Sequence, residues 1–386
     1  MHRVCVITAT RAEYGILQPL MYELKQSAAI ALQLIVTGTH LSQLYGTTSN
    51  QIVDDGFEVD EYVTVLEEGD DVSALLQTMA NVQQRIGAAL ARLMPDVVVV
   101  LGDRYELIPL VSTCAMMQIP VCHIHGGEIT QGAVDDMFRH AITKMSHVHF
   151  ASTKQYANRI IQLGEQPNKV FNVGSLGVEQ VKKLPLYSKE ELQREIGFAV
   201  DENTLLVTFH PVTMETQSQV HQMQALLDAL ALRPQYKVLF TRPNADLHRN
   251  DLNDLMEAYV VKHPHTSAIY SSLGQKKFLS AMKYCKAVVG NSSSGIIEAP
   301  SFGIPTINIG NRQKGRISAV SVLHCEANKA AILHALDELD HAEFLFAAKT
   351  CHNPYEGKDT AKTIVKILTY LLDQGLTCLK PFYDIS

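Results

Sequence analysis

Residues 286–298 read KAVVGNSSSGIIE. A short apolar run ends in glycine, crosses a turn of small polar residues and opens at once onto a helix start. The same grammar recurs along the chain. Strands are expected at 3–8, 32–38, 96–102, 120–125, 147–151 and 170–174, and again at 204–209, 236–241, 267–271, 286–290 and 304–309. Helical spacing fills the intervals. Leu75, Leu76, Met79, Val82, Ile86, Leu90 and Leu93 predict one helix over 72–94. Strands that are almost continuously apolar belong in a parallel sheet covered on both faces, built from right-handed strand–helix–strand units.

The pattern stops and restarts around a polar stretch at 179–195, EQVKKLPLYSKEELQRE. An α/β chain of two Rossmann-like domains follows, one over 1–180 and one over 181–362, with a terminal helical segment at about 363–386 returning to the first domain. A length of 386 residues and a hydrophobic fraction of 46% suit two packed interiors. Net charge is −7, which gives no basic face for nucleic acid. No apolar run approaches the roughly 20 residues that span a bilayer, and a cytoplasmic protein is expected. Seven cysteines, an odd number without CxxC spacing, are expected to be free thiols.

In open parallel sheets, ligands sit beyond the carboxyl ends of the strands. Those ends are therefore the places to look for chemistry. They carry Thr8-Ala9-Thr10-Arg11, His40, Asp103-Arg104 and the run His123-Ile124-His125-Gly126-Gly127-Glu128 in the first half. The second half offers His210, Arg242-Pro243-Asn244, Gly290-Asn291-Ser292-Ser293-Ser294-Gly295 and Arg312. The backbone N–H groups of Ser293, Ser294 and Gly295, at a helix start flanked by hydroxyls, are expected to be unpaired and to form an anion site for a diphosphate. Glu298, one turn on, could accept from ribose hydroxyls, although an ordinary serine-capped helix would look the same. Asp103 and His210 could be acid/base groups or turn residues. Asp135 and Asp136 open a helix that also carries Arg139, and dipole compensation would explain the two acids without function. The pairs His123/His125 and His147/His149 each share a strand face, but no third ligand is fixed by spacing, so no metal is expected. The GxGxxG fingerprint is absent after the first strand, which weighs against a nicotinamide cofactor.

Taken together, TATRAEYG (8–15), TGTHLSQLYG (37–46), GDRYE (102–106), HIHGGE (123–128), DDMFRHAITKMSH (135–147), HPVT (210–213), RPNAD (242–246) and GNSSSGIIEAPSFGIPTINIGNRQKGR (290–316) resemble the hydrolysing branch of the UDP-N-acetylglucosamine 2-epimerase family. The resemblance runs over nearly the whole chain. It implies a GT-B-like fold with a UDP-sugar in the interdomain cleft and no cofactor or metal. Helical faces such as 72–94 point separately to a homo-oligomer, dimer or tetramer. The resemblance also implies that Arg11, His40 and Arg104 line the sugar-nucleotide site from the first domain. Asn244, Ser292, Ser293, Ser294, Gly295, Glu298 and Arg312 would hold the nucleotide from the second. Asp103, Asp135 and His210 match the family's acid/base positions, with Arg139 close by.

One position departs from the family. Where the family commonly carries an acid two residues after His123, this chain has His125, with Glu128 as the nearest carboxylate. Either residue takes over the work, or the substrate differs. The reaction implied is elimination of UDP followed by water addition. UDP-N-acetylglucosamine is the first substrate to expect, and UDP-N,N′-diacetylbacillosamine, on a legionaminic-acid route, is the alternative. A glycosyltransferase of the same fold, or a non-catalytic UDP-sugar sensor, would share the nucleotide site.

Overall fold

A computed structural model describes residues 1–386 except 44–46, 68, 70, 132, 211–218, 243–248 and 386, and the side chains of 249 and 250. Two compact units emerge. The first comprises residues 1–128, 135–180 and 355–386, and the second 129–134 and 181–354.

The first unit holds a seven-stranded sheet. Its strands are β1 (His2–Thr8), β2 (Ile30–Thr37), β3 (Glu61–Val63), β4 (Val97–Leu101), β5 (Val121–Ile124), β6 (Val148–Ala151) and β7 (Val170–Asn172). Their order is β3-β2-β1-β4-β5-β6-β7, and every pairing is parallel. Alternate residues of the central strands feed opposite faces. Val4, Val6 and Val99 point into one apolar cluster, while Cys5, Ile7, Val98 and Val100 point into the other. This is why these strands read as unbroken apolar runs.

The second unit repeats the plan with six strands: β8 (Thr204–Thr208), β9 (Lys237–Thr241), β10 (Ser267–Tyr270), β11 (Ala287–Gly290), β12 (Thr306–Ile309) and β13 (Val322–Cys325). The order is β10-β9-β8-β11-β12-β13, again all parallel. The chain is thus two Rossmann-like α/β units of GT-B-like kind. In each sheet the winding direction reverses once, at β1/β4 and at β8/β11. Those reversals open the crevice in which such sheets take ligands.

All eleven expected strands are present, most of them shortened by a residue or two while β1 and β2 begin earlier, and two more were not foreseen. β3 and β13 are edge strands of three and four residues, EYV and VLHC, each with one neighbour. Half-exposed edges need no apolar run, so they leave little trace in sequence. The helix expected over 72–94 is helical throughout, but a π-turn at Val82–Ile86 joins Val72–Asn81 to Gly87–Leu93. That extra residue per turn rotates the apolar stripe. Leu76, placed in the stripe, is 60% exposed, while Thr78 and Asn81 are buried and bond Glu67 N–H and the Val65 carbonyl.

The helix Thr360–Asp373 belongs to the first unit. Its Ile364, Leu368 and Leu371 complete the cluster formed by Tyr14, Leu17 and Leu34. Among the described residues, no helix is long and apolar enough to cross a membrane. All seven cysteines are free. Because Leu368 is fully buried, Leu368→Ala should destabilise the first unit by about 2–5 kcal/mol. Urea unfolding with an unchanged m-value would register it, and a loss below about 1 kcal/mol would mean that the helix is only loosely docked.

Candidate active site

In the first unit the chemistry gathers around one guanidinium. Arg139, on the helix Asp135–Met145, is only 3% exposed. It donates through Nη1 to the His125 carbonyl at 2.9 Å and through Nη2 to the Asp103 carboxylate, and Nη1 lies 4.0 Å from Glu128 Oε2. A buried cation is tolerable only when paired and hydrogen-bonded, so these contacts are a condition of its burial. Asp135 stands one turn before Arg139, on the same helix face. Four separate sequence positions, Asp103, His125, Glu128 and Arg139, thus meet at one end of the sheet.

The HIHGGE run folds tightly to do this. His125 has φ +64°, a left-handed conformation uncommon outside glycine, and Gly127 follows at φ +74°. A Cβ on Gly127 would lie 2.5 Å from the Tyr156 carbonyl oxygen, so nothing larger fits. The turn brings Glu128 back beneath His125, with Nδ1 and Oε1 3.7 Å apart. Ser152, just past β6, donates to the same Oε1 at 2.8 Å. Glu128 is only 1% exposed, whereas the Asp103 side chain keeps 22% of its surface. The two carboxylates therefore sit at different depths.

The remaining histidines of the strand pairs are structural. His123 Nε2 bonds the Gly102 carbonyl at 2.7 Å and so carries its proton, while Nδ1 meets the Thr143 hydroxyl at 3.1 Å. Burial pushes this imidazole down to about 3, leaving it neutral at pH 7. It fixes the carbonyl directly before Asp103. His149 Nε2 meets Glu165 at 3.0 Å, and His147 Nδ1 accepts from Val121 N–H at 3.1 Å. Among the described residues, no cluster of three or more His, Cys, Asp or Glu could hold a metal ion.

Other first-unit positions are also engaged. His40 is fully buried, with Nε2 at 3.1 Å from the Thr8 hydroxyl and Nδ1 at 2.8 Å from that of Thr48. Burial lowers it to about 4. With both nitrogens engaged by protein hydroxyls, His40 ties β1 to the segment after β2. Arg104 is gripped by both oxygens of Glu106, at 3.1 and 2.8 Å. Arg11 is the first residue of the helix Arg11–Gln26, capped by Thr10.

In the second unit, His210 follows β8 and is 8% exposed. Asn291, past β11, accepts from His210 N–H at 2.6 Å and donates to the His210 carbonyl at 2.8 Å. Arg312 and Gln313 both donate to the Asn291 main-chain carbonyl, at 3.1 and 2.8 Å. Gly290, at φ +131°, makes this approach possible, since a Cβ there would lie 2.0 Å from the Thr208 carbonyl oxygen. The GNSSSG turn differs from expectation in one respect. Ser294 N–H donates to the Ser292 hydroxyl at 3.4 Å and Gly295 N–H to the Ser292 carbonyl at 3.3 Å, so neither is unpaired. The helix is also short, Ser293–Ile297, and Glu298 caps its far end. Asn244 lies outside the described residues.

The chain matches the UDP-N-acetylglucosamine 2-epimerase family model over residues 22–369. It belongs to that family. The enzyme class follows: a UDP-sugar 2-epimerase. It is 38% identical to the GDP/UDP-N,N′-diacetylbacillosamine 2-epimerase (hydrolyzing) of Campylobacter jejuni, over 89% of this chain and 88% of that one. Identity is 33% to the UDP-N,N′-diacetylbacillosamine 2-epimerase (hydrolyzing) of Legionella pneumophila, over 88% and 89%. To the UDP-N-acetylglucosamine 2-epimerase of Neisseria meningitidis it is 31%, over all of both chains. In fold, it is similar to a UDP-GlcNAc 2-epimerase crystal structure from Neisseria meningitidis bound to UDP-GlcNAc, with TM-score 0.80 and 18% identity over 95% of this chain and 100% of that one.

Set in this family, the residues that sequence reasoning passed over are Ser152 and Asn291. Ser152 follows β6 as a lone hydroxyl with no motif around it. Asn291 stood inside the quoted motif without a role, because an amide that bonds main chain gives no pattern in sequence. The strained His125 supplies a test. Left-handed backbone costs an L-residue roughly 1–2 kcal/mol that glycine avoids. His125→Gly should therefore be more stable than His125→Ala by about 1 kcal/mol in chemical denaturation, with both variants slow. Equal stability of the two would mean that the backbone at 125 is not held left-handed.

Proposed function

We propose that the chain is a hydrolysing 2-epimerase acting on a UDP-linked 2-acetamido sugar. A base takes the proton from carbon 2, the bond from carbon 1 to UDP breaks, and a carbon 1–carbon 2 double bond forms. Water then adds back, its hydroxyl to carbon 1 and a proton to the opposite face of carbon 2. The products are UDP and the free 2-epimer.

The observation that carries this reading is the set of carboxyl groups around Arg139. The carbon-2 proton is weakly acidic and needs a base within about 3 Å. The departing diphosphate gains charge and needs fixed donors. Depth in the site divides the labour. Asp103, with exposed surface, and Asp135, half-buried, are the groups we assign to the sugar. Glu128, sealed beneath the surface 3.7 Å from His125 Nδ1, is assigned to orienting that imidazole. His210 is assigned an acid/base role from the second unit. Arg11, Arg104, Ser292, Ser293, Ser294, Gly295, Glu298 and Arg312 are assigned to the nucleotide, and Asn244 on its motif alone.

For the sugar itself, UDP-N,N′-diacetylbacillosamine is the preferred reading. The relatives move it ahead of UDP-N-acetylglucosamine, which the sequence alone places first, and the residue at 125 agrees with them. The relatives at 38% and 33% identity carry that substrate in their names, against 31% for the mono-acetamido relative. The residue at 125 is an imidazole, which can donate to the carbonyl of a second acetamido group as a carboxylate cannot. Release of UDP from both substrates, and of GDP from the GDP form of the diacetamido sugar, tests it. We expect kcat/KM to favour the diacetamido sugar by about tenfold or more, and His125→Glu to narrow that ratio. Faster turnover of UDP-N-acetylglucosamine by the unaltered chain would reverse the assignment.

A further inference from the structure

Asn291 is completely buried and stands immediately past Gly290, where the ladder between β8 and β11 ends. The β11 ladder runs Ala287 to Gly290 against Leu205 to Thr208, and Asn291 N–H still donates to the Thr208 carbonyl at 3.1 Å. Beyond that rung the side chain takes over. Its carbonyl accepts from His210 N–H at 2.6 Å and its amino group donates to the His210 carbonyl at 2.8 Å. A primary amide presents one acceptor and two donors side by side, as a peptide group presents one of each. It therefore supplies one more rung to a ladder that has lost its partner strand. The orientation is not ambiguous, since a main-chain N–H can only donate and a carbonyl can only accept. No other side chain of this size and shape can do both: aspartate lacks the donor and leucine lacks both. Through its own carbonyl, Asn291 also takes the bonds from Arg312 and Gln313.

We propose that Asn291 is a positioning residue for the reaction: it fixes both main-chain groups of His210 and so the placement of the imidazole. The inference rests on the reading of His210 as an acid/base group. Asn291 itself is fully buried and bonds only protein main chain through its side chain, so it acts through His210. Proton transfer is sensitive to displacements well below an ångström, so freeing the His210 main chain slows turnover while leaving the nucleotide contacts in place.

The test is a double-mutant cycle in the full-length protein. Asn291→Ala, His210→Ala and the double variant are assayed for UDP release at saturating substrate, with whichever UDP-sugar the unaltered chain turns over faster. Asn291→Asp, isosteric and retaining the acceptor, is assayed beside them in case the alanine variant folds poorly. We expect Asn291→Ala or Asn291→Asp to lower kcat by about tenfold or more with KM within about threefold. In the His210→Ala background the same change should alter kcat by less than about twofold, because the group it positions is gone. A purely structural role would instead give effects that multiply, and multiplication would overturn the proposal. A slow His210→Ala beside a fully active Asn291→Ala and Asn291→Asp would overturn the positioning role alone. Undiminished kcat in His210→Ala would overturn the reading of His210, and the positioning role with it.

Discussion

The guanidinium of Arg139 is 3% exposed, and a charge taken that far from water must be met by protein groups or the fold will not keep it. That demand organises the first unit's site. Asp103 comes from the end of β4, the His125 carbonyl from the end of β5 and Glu128 from the turn beyond it, and Arg139 reaches them from a helix. Removing the cation would take from Asp103 its ion pair and from the His125 carbonyl its donor. It follows that Arg139 is at once part of the packing and the element that draws Asp103 and Glu128 to one place.

The second unit meets the same architectural problem by a neutral device. Parallel strands diverge where the winding reverses, and the main-chain groups at that point lose their ladder partners. In the first unit, His123 bonds the Gly102 carbonyl and so steadies the residue before Asp103. In the second, Asn291 bonds both main-chain groups of His210. Each sheet thus uses a buried polar side chain to hold the residue that follows a central strand. The neutrality of His123, forced by its burial, keeps a second positive charge away from Arg139.

Much of this was legible in the sequence, for identifiable reasons. Central strands such as VVVVL announce themselves because both faces are buried, and the terminal helix shows its stripe through Ile364, Leu368 and Leu371. The listing of strand ends found Asp103, His125, Glu128 and His210, since parallel topology puts such residues at one edge. Features that depend on three-dimensional detail stayed hidden. The left-handed backbone of His125, the burial of Glu128 and the engagement of both His40 nitrogens are not properties of residue type. The short edge strands β3 and β13, and the π-turn at Val82–Ile86, break the periodicities from which elements are read.

The central claim is that the carboxyl groups around Arg139 serve an elimination and re-addition at carbon 2, rather than a direct attack of water at carbon 1. Turnover in deuterated water, followed by mass and proton NMR analysis of the released sugar, addresses it most directly. The account predicts free UDP and a 2-epimer carrying one deuterium at carbon 2, because the original proton is lost to solvent before water adds back. A released sugar that retains its original hydrogen and configuration at carbon 2 would contradict it.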